Sequence, residues 1–297
     1  MKSNLKENIW KTICWFDLFA QPVSLEEIHR FLLFSKASEK EVAKVLTKDS
    51  RIGKSFGFYF LRGKNASVLK RCGKQYHAGK LWKKVLRHLF ILRLTPFLKL
   101  VAVGNTLAMG FPERNSDIDL LVVTKQNRLF TTRAFLTFFS HIFRMRRNNK
   151  KIRGRFCLSF FLAENSLNLE KIKIAHEDIY LAFWIATLTP IFGDASEIFA
   201  ANNWVRKYFP NLKLKTTQKK FRRNNFLERI LNGKFGDFLE KILRNWQLNR
   251  AMRKQKNREK NTVIISEEIL KFHETDQRRN FQEQWKKRIT VKSRAKK

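Results

Sequence analysis

Two aspartates separated by a single residue form the part of this sequence whose residue types and spacing suggest chemistry. Asp117 and Asp119 open the segment DIDLLVV, in which apolar residues follow at once. This pattern predicts a strand, and because side chains alternate along a strand, both carboxylates would point to the same face. Paired carboxylates provide the hard oxygen ligands that Mg²⁺ prefers, and bound Mg²⁺ can hold the attacking and leaving oxygens of a displacement at phosphorus.

A glycine turn lies a few residues before the aspartates. The apolar run LKLVAV predicts a strand that ends at Gly104, and the next residues can begin a short helix. The backbone N–H groups of Gly104, Asn105 and Thr106 would then face phosphate oxygens at the start of that helix. We therefore assign these three residues, together with Ser116, to binding a nucleoside triphosphate, and assign Asp117 and Asp119 to binding its metal ions.

Each of these signals has an ordinary structural explanation when it is taken alone. A glycine after a strand is usually only a turn, and an Asp-x-Asp pair is usually a solvated strand edge. In combination they favour a site, because Asp117 and Asp119 precede a buried strand, where two carboxylates are costly unless a cation is near.

The same residues resemble the signature of the DNA polymerase β-type nucleotidyltransferase superfamily, especially its small prokaryotic members. That signature is a Gly-Ser turn, a short helix and then Asp-x-Asp on the next strand, matched here by Gly104-Asn105 and by Asp117-Ile118-Asp119. The resemblance implies an enzyme that transfers a nucleoside monophosphate from a nucleoside triphosphate to a hydroxyl and releases pyrophosphate. It also implies Mg²⁺ or Mn²⁺ as the cofactor, with Asp117 and Asp119 as catalytic metal ligands. Asn105 replaces the usual serine, and its amide can still donate a hydrogen bond.

The superfamily often carries a third carboxylate on the next core strand. The segment RFCLSFFL, residues 155–162, predicts that strand but contains no acid, and Ser159 lies at its middle. Glu164 follows the strand and Asp178 begins the next helix, and the sequence does not choose between Glu164, Asp178 and no third acid. Without that acid the metal ligands would remain, but activation of the attacking hydroxyl would be weaker.

Residues 1–65 are predicted to form a separate N-terminal module. Capping boxes at Ser24 and Ser38 predict two helices after an initial one, and residues 51–61 predict a β-hairpin. Three helices and a hairpin resemble a winged helix-turn-helix domain, in which the helix from Ser38 would enter a DNA groove. The alternative is a module that contacts proteins. The outward residues of that helix would be Lys40, Lys44 and Lys48, with Lys54 and Ser55 in the wing.

The fold class that we expect is α/β (α+β), with a small mixed sheet in a nucleotidyltransferase core between the winged-helix-like module and a C-terminal helical domain. We expect a helical connector at 66–96, the core at 97–165, the helical domain at 166–260 and a basic C-terminal segment at 261–297. A helix from Glu177 should end at Thr189-Pro190. The segment NTVIIS predicts a short strand, followed by a last helical piece to Ile289. A helix is predicted over 226–246 with Gly233 and Gly236 as candidate breaks, and its apolar residues are Leu227, Ile230, Leu231, Phe238, Ile242 and Trp246.

The charge balance indicates a polyanionic partner. The 297 residues include 62 Lys and Arg against 25 Asp and Glu, a formal charge of +37, which makes nucleic acid a plausible partner besides the nucleoside triphosphate. A general compositional bias toward basic residues would produce the same charge. A second hypothesis follows from this charge, Asn105 and the third strand without an acid. It is a regulator that binds nucleic acid or senses nucleotide and whose nucleotidyltransferase fold has weakened catalysis. A third carboxylate beside Asp117 and Asp119 would favour the enzyme.

Cysteine and hydropathy patterns exclude several other classes. Cys14, Cys72 and Cys157 are far apart and form no C-x-x-C pair, which argues against a disulfide framework or a zinc site. The longest uncharged stretch, Ile179 to Gly193, has 15 residues and is shorter than the ~20 that a membrane span needs. We therefore expect a cytoplasmic protein that does not contact membranes. The sequence does not predict its oligomeric state.

Overall fold

A computed structural model describes residues 4–65, 67–213, 226–256, 263–272 and 276–291. The strands are β1 (Ile52–Ser55), β2 (Phe58–Leu61), β3 (Leu98–Val103), β4 (Ile118–Thr124), β5 (Phe156–Ala163), β6 (Thr189–Gly193), β7 (Ile264–Ile265) and β8 (Ile269–Lys271). The helices are α1 (Leu5–Asp17), α2 (Leu25–Arg30), α3 (Glu39–Leu46), α4 (Ser67–Arg87), α5 (Leu89–Leu94), α6 (Asn105–Ala108), α7 (Leu129–Ile142), α8 (Ile179–Thr187), α9 (Ser196–Ala201), α10 (Phe226–Ile230), α11 (Lys234–Lys256) and α12 (Arg278–Val291). Two 3-10 helices cover Leu169–Ile172 and Asn203–Lys207.

The described strands confirm a mixed α/β fold. They form a hairpin of β1 and β2 and a six-stranded sheet in the order β6-β3-β4-β5-β8-β7. β4 and β5 are parallel, and the other neighbouring pairs of that sheet are antiparallel. The register places Asp119 directly beside Cys157 of β5, so the middle of the sheet positions the candidate site.

The N-terminal elements form as the sequence predicts. Ser24 and Ser38 each make a complete capping box, with Glu27 and Glu41 respectively. The β1–β2 hairpin turns through Phe56 and Gly57, whose φ angles of 48° and 78° suit a two-residue turn. The predicted outward lysines of α3 are exposed.

Hydrophobic cores cover both faces of the six-stranded sheet. One core joins α1, α2 and α3 to α8 and to one face of the sheet, and it includes Trp15, Phe183 and Leu121. The other packs α4, α5 and α7 on the opposite face, around Val122 and Phe130. Because the first core is continuous, the N-terminal helices are stabilised by the same apolar contacts as the sheet and α8. Every helix in the described ranges is too short or too polar to span a bilayer.

Two short strands correct the sequence prediction. The segment after α8 is not helical; it forms β6, which adds to the sheet beside β3, so the range 166–260 is not wholly helical. β6 carries Pro190 and lies at the sheet edge, where a residue without an N–H is tolerated. The predicted strand NTVIIS narrows to Ile264–Ile265, with Asn261 and Thr262 outside the described residues, and β8 interrupts the predicted final helical piece. The basic tail after residue 291 also lies outside the described residues.

The helix predicted over 226–246 is divided, and most of its named apolar residues are exposed, although Leu231 is buried. Gly233 divides this helix into α10 and α11, and the apolar residues Ile230, Phe238, Ile242 and Trp246 are about half exposed or more. Two polar residues of α11, Glu240 and Gln247, are buried instead. Oxygen atoms of the Glu240 carboxylate accept hydrogen bonds at 3.0 and 2.7 Å from the backbone N–H groups of Phe130 and Thr131, in the first turn of α7. A carboxylate satisfies those otherwise unpaired donors at the positive end of a helix.

Candidate functional site

Asp117 and Asp119 converge at the start of β4. Their ligand atoms and the Cys157 Sγ all lie within 4.8 Å of one another, which is close enough to hold one metal ion between them. The half-buried carboxylates come from one strand end, and Cys157 is buried on the neighbouring strand. The prediction that both aspartate side chains point to the same face is therefore confirmed.

The third position beside the aspartates holds a thiol. Within the described residues, the group around the pair consists of Asp117, Asp119 and Cys157 and contains no third carboxylate. Glu164 lies beyond the far end of β5, where its carboxylate pairs with the Lys99 Nζ at 2.8 Å.

Asp178, the other candidate for the third acid, is a structural residue. It is 1% exposed, caps α8 by accepting from the Leu181 N–H at 2.9 Å, and pairs with the Arg278 guanidinium at 2.8 Å. Neither sequence candidate therefore completes the site, and a cysteine stands beside the two acids.

The glycine turn has both a structural and a chemical role. The Gly104 N–H is not open to a phosphate, because it donates a hydrogen bond to the Asp119 carbonyl oxygen at 3.0 Å. The glycine also packs closely against the indole of Trp184, since a Cβ at Gly104 would lie 3.0 Å from the Trp184 Nε1 and would require that ring to shift. Asn105 and Thr106 begin α6, so their N–H groups have no acceptor within the helix.

Asparagine suits the backbone conformation at position 105. Its φ angle is 51°, in the left-handed region that asparagine adopts more readily than most side chains. The Thr106 Oγ1 lies 3.5 Å from the Ser116 Oγ, and that hydroxyl also accepts a hydrogen bond from the Glu113 N–H at 2.9 Å. These contacts place Ser116 next to α6 and brace the loop between α6 and β4.

Arg147 is a residue of this site that the sequence did not single out. Its Nη1 donates to the Asp117 Oδ2 at 2.5 Å and to the Cys157 Sγ at 3.5 Å. The guanidinium therefore takes the position of a neutralising cation beside the metal-ligand group. Its side chain is 44% exposed, so it can move aside with little loss of packing. The basic loop over 144–155 carries the signal for such a residue, but its spacing does not indicate which arginine turns inward.

No protein-family model matches this chain. No curated protein matches its sequence at a significant level either. The functional argument therefore depends on the residues and geometry of the site itself.

Arg147 only partly compensates the negative charge of the two carboxylates. Burial raises the pKa of Asp117, the neighbouring Asp119 charge raises it further, and Arg147 offsets this rise only in part. Burial and the charges of Asp119 and Asp117 raise the pKa of Cys157 to about 12, so its thiol is protonated at neutral pH. A cation at this position would relieve the repulsion between the acids, and binding through the Cys157 sulfur would release a proton.

Replacing Asp117 with asparagine should stabilise the metal-free protein at neutral pH. The folded-state pKa of Asp117 is raised above 3.8, so its ionised form costs folding free energy at every pH above the raised pKa and costs none below the unfolded value. We expect Asp117→Asn to raise the thermal unfolding midpoint by a few degrees at pH 7, which is the order of a change of ~1 kcal/mol. The difference should vanish near pH 3, and a lower midpoint for the variant at pH 7 would show that the Arg147 pair dominates.

Proposed function

We propose that this protein is a nucleotidyltransferase that binds a nucleoside triphosphate with Mg²⁺ or Mn²⁺ through Asp117 and Asp119 and transfers the nucleoside monophosphate to a hydroxyl. The observation that carries the proposal is the convergence of both carboxylates within 4.8 Å beside the strand–turn–helix unit at Gly104. Carboxylates on a rigid strand hold divalent metals in fixed geometry, and the metals stabilise charge that develops on the phosphates.

Further support comes from the surroundings of the carboxylates. The open N–H groups of Asn105 and Thr106 lie at the β3–α6 turn, whose glycine amide is bonded to the Asp119 carbonyl oxygen. Phosphates bound there would be next to the metal ligands. The proposal includes the domain architecture: a nucleotidyltransferase core, a winged-helix-like N-terminal module and a largely helical C-terminal part.

The direct test of transfer is release of pyrophosphate. The full chain would be incubated with each of the four ribonucleoside triphosphates, Mg²⁺ or Mn²⁺, and one acceptor class at a time: RNA ends, a protein mixture, or small alcohols and sugars. Pyrophosphate would be measured by a coupled phosphate assay, and transfer by a radiolabel on the α-phosphate. Label transferred to an acceptor supports the proposal. Nucleotide binding without any label transfer would support the proposed binding of nucleotide and contradict the proposed transfer.

A second function is favoured by Cys157 and Arg147. A thiol takes the third position, and an arginine pairs with one of the metal ligands. Among the described residues, this group therefore contains no third carboxylate to act as a base for the hydroxyl of an acceptor. This arrangement suits a regulator that binds metal and nucleotide without turnover. Cys157→Asp separates the two functions: pyrophosphate release from the variant alone would favour the regulator, whereas release by the natural chain, abolished by Asp119→Asn, would favour the enzyme.

The N-terminal module is the part that we propose to contact duplex DNA. Lys40 and Lys44 are exposed on α3, and Lys48 is exposed two residues after the end of that helix. Asp49 does not reduce their positive charge, because its carboxylate is buried and paired with the Arg51 guanidinium at 2.6 Å. Lysines without an adjacent Asn, Gln or Arg contact phosphates and do not read bases.

DNA binding by this face should be weak and strongly salt-dependent. For about four neutralised phosphates, the slope of log affinity against log salt should be roughly −3.6. The full chain is needed, because the N-terminal helices share a core with the sheet. Changing Lys40, Lys44 and Lys48 to glutamine should remove roughly 2.7 of that slope in a mobility-shift titration. The control replaces three exposed lysines elsewhere, Lys70, Lys83 and Lys171. An equal loss in both triple variants would contradict the assignment and leave a module that contacts proteins.

A further inference from the structure

A large cavity lies on the sheet face opposite the carboxylates. It has a volume of about 630 Å³ and is formed between α7, α11 and the sheet. Neighbouring residues of β5 mark the two sides: Cys157 joins the metal-ligand group, and Leu158 lines the cavity. The volume is typical of a site for a small organic ligand.

Three arginines line this cavity. They are Arg133, Arg146 and Arg250, and no Asp or Glu is among the described residues of the lining. Three arginines around one space repel one another when no anion lies between them. The cavity therefore offers an anion several donors, and its described lining presents no carboxylate that would repel the anion.

Arg133 is a buried donor that lacks part of its hydrogen bonding. Its Nη1 donates to the Gln247 Oε1 at 2.5 Å, but its buried Nε has no hydrogen-bond partner in the described part of the chain. Burial, together with the charges of Arg146 and Arg250, lowers the pKa of Arg133 to about 10. Unpaired buried donors are rare in native proteins, and an anion in the cavity would reduce the repulsion that Arg133 experiences.

Much of the remaining lining is apolar and includes exposed rings. Leu158, Ile265 and Phe272 border the cavity on the sheet side. Phe138 of α7 and Trp246 of α11 are each 56% exposed although they line the cavity, and the Arg250 guanidinium lies 5.7 Å from the centre of the Trp246 ring. A ligand that complements both the arginines and the exposed rings would have an anionic group and a flat ring.

We propose that this cavity binds a nucleotide unit of a single-stranded nucleic acid, with its phosphate on the arginines and its base against Trp246 or Phe138. Aromatic rings beside a basic groove hold single strands by stacking on bases, which a duplex does not expose. The formal charge of +37 favours a long polyanion over a free nucleotide as the source of this unit.

This proposal does not depend on chemistry at Asp117 and Asp119. Neighbouring residues of one loop reach the two places, because Arg146 lines the cavity and Arg147 contacts Asp117. The double variant Asp117→Asn/Asp119→Asn should leave binding at the cavity unchanged, so the two proposals fail separately.

The test is fluorescence anisotropy of the full chain with a labelled oligothymidylate and a labelled oligouridylate of about ten nucleotides. Arg146→Gln/Arg250→Gln should weaken binding at least tenfold and should reduce the salt slope by about 1.4, the value for two phosphates of a single strand. The charge-matched control is Arg87→Gln/Arg253→Gln, in which both residues are exposed and outside the cavity. Trp246→Ala should weaken binding at least fivefold, and its control, Phe235→Ala, should change it less than twofold. Phe235 is an equally exposed ring of α11.

Unlabelled ligands distinguish the sources of the nucleotide unit. Competition by the oligomer at concentrations where AMP, UMP and inorganic phosphate do not compete would support a single strand. AMP or UMP competing as well as the oligomer would overturn the single-stranded source. Equal losses in the cavity variants and their controls would overturn the cavity as the binding site, since binding would then follow net charge alone. Binding of anionic vesicles through Trp246, without oligomer binding, would also overturn the proposal.

Discussion

Replacing both Asp117 and Asp119 with asparagine is expected to lower the Mg²⁺-dependent affinity for ATP or GTP at least tenfold, about 1.4 kcal/mol. Asparagine keeps the shape of each side chain and removes the charge that holds the metal. The ligand atoms of both residues lie in one group within 4.8 Å, so the variant loses two of the three ligands at once. Metal and nucleotide should bind cooperatively in the natural chain, because the metal relieves repulsion between the carboxylates and also neutralises the phosphates.

Calorimetric titration with and without Mg²⁺ measures this effect. A matched control is Glu39→Gln/Glu197→Gln, which removes two charges from exposed positions on α3 and α9. The double asparagine variant should be at least as stable as the natural chain without metal, so its lost affinity cannot be attributed to unfolding. If the natural chain binds neither nucleotide with Mg²⁺ or Mn²⁺ present, the proposed function fails. If the control loses as much affinity as the variant, the effect is one of net charge.

The elements that hold the candidate site could be predicted because their signals are local. LKLVAV and DLLVV are apolar runs next to turn residues, and they form β3 and β4 almost where they were expected. The capping boxes at Ser24 and Ser38 are equally local, since each one satisfies its donors within four residues. The spacing of two between Asp117 and Asp119 also survives folding, because alternation along a strand does not depend on distant residues.

What the sequence could not predict depends on partners far away along the chain. β8 has three residues, too few for a visible alternation, and its strand pairings are with β5 and β7. Which side of α11 is buried also depends on a distant partner. The first-turn N–H groups of α7 require an acceptor. The carboxylate of Glu240, which lies 109 to 110 positions later in the chain, provides it. An apolar stripe is therefore left exposed because a polar contact selects the opposite face.

The composition of the site shows the same limit. Cys157 lies in a strand that sequence reasoning considered only for its missing acid, and it becomes a site residue because the parallel register places it beside Asp119. Asp178 resembled a candidate ligand because it begins a helix near the core, but its carboxylate belongs to an ion pair with a residue 100 positions later. A bulge between Asp119 and Leu121 in the β4–β5 pairing also changes which β5 residues share a face.

Arg278→Met is expected to lower the free energy of unfolding by about 3–5 kcal/mol, because it leaves a buried carboxylate without its cation. The Arg278 Nη1 donates to the Asp178 Oδ2 at 2.8 Å and to the Ile172 carbonyl oxygen at 3.0 Å, and the Arg278 Nε donates to the Asp276 Oδ1 at 2.9 Å. The guanidinium thus joins the start of α12 to the N-terminus of α8, whose cap is the almost fully buried Asp178.

The control for this prediction is Arg279→Met, which changes the adjacent, exposed residue of α12 and should cost less than about 0.5 kcal/mol. Urea denaturation followed by tryptophan fluorescence measures both variants. Adding Asp178→Asn to Arg278→Met should recover part of the loss, since it removes the uncompensated charge. No recovery would mean that packing of the arginine side chain, and not its charge, holds the two helices together.

The same cluster predicts how stability depends on acid. Burial would raise the pKa of Asp276, but hydrogen bonds from Arg278 outweigh it and lower that pKa to about 2. A carboxyl whose pKa is depressed in the folded state stabilises the fold above its unfolded value and loses that contribution as pH falls through the folded value. Stability should therefore decrease between about pH 4 and pH 2 in the natural chain, and this decrease should be smaller in Arg278→Met. If stability falls equally in both proteins over this range, carboxylates other than Asp276 cause the loss of stability in acid. The predicted role of Asp276 would then be wrong.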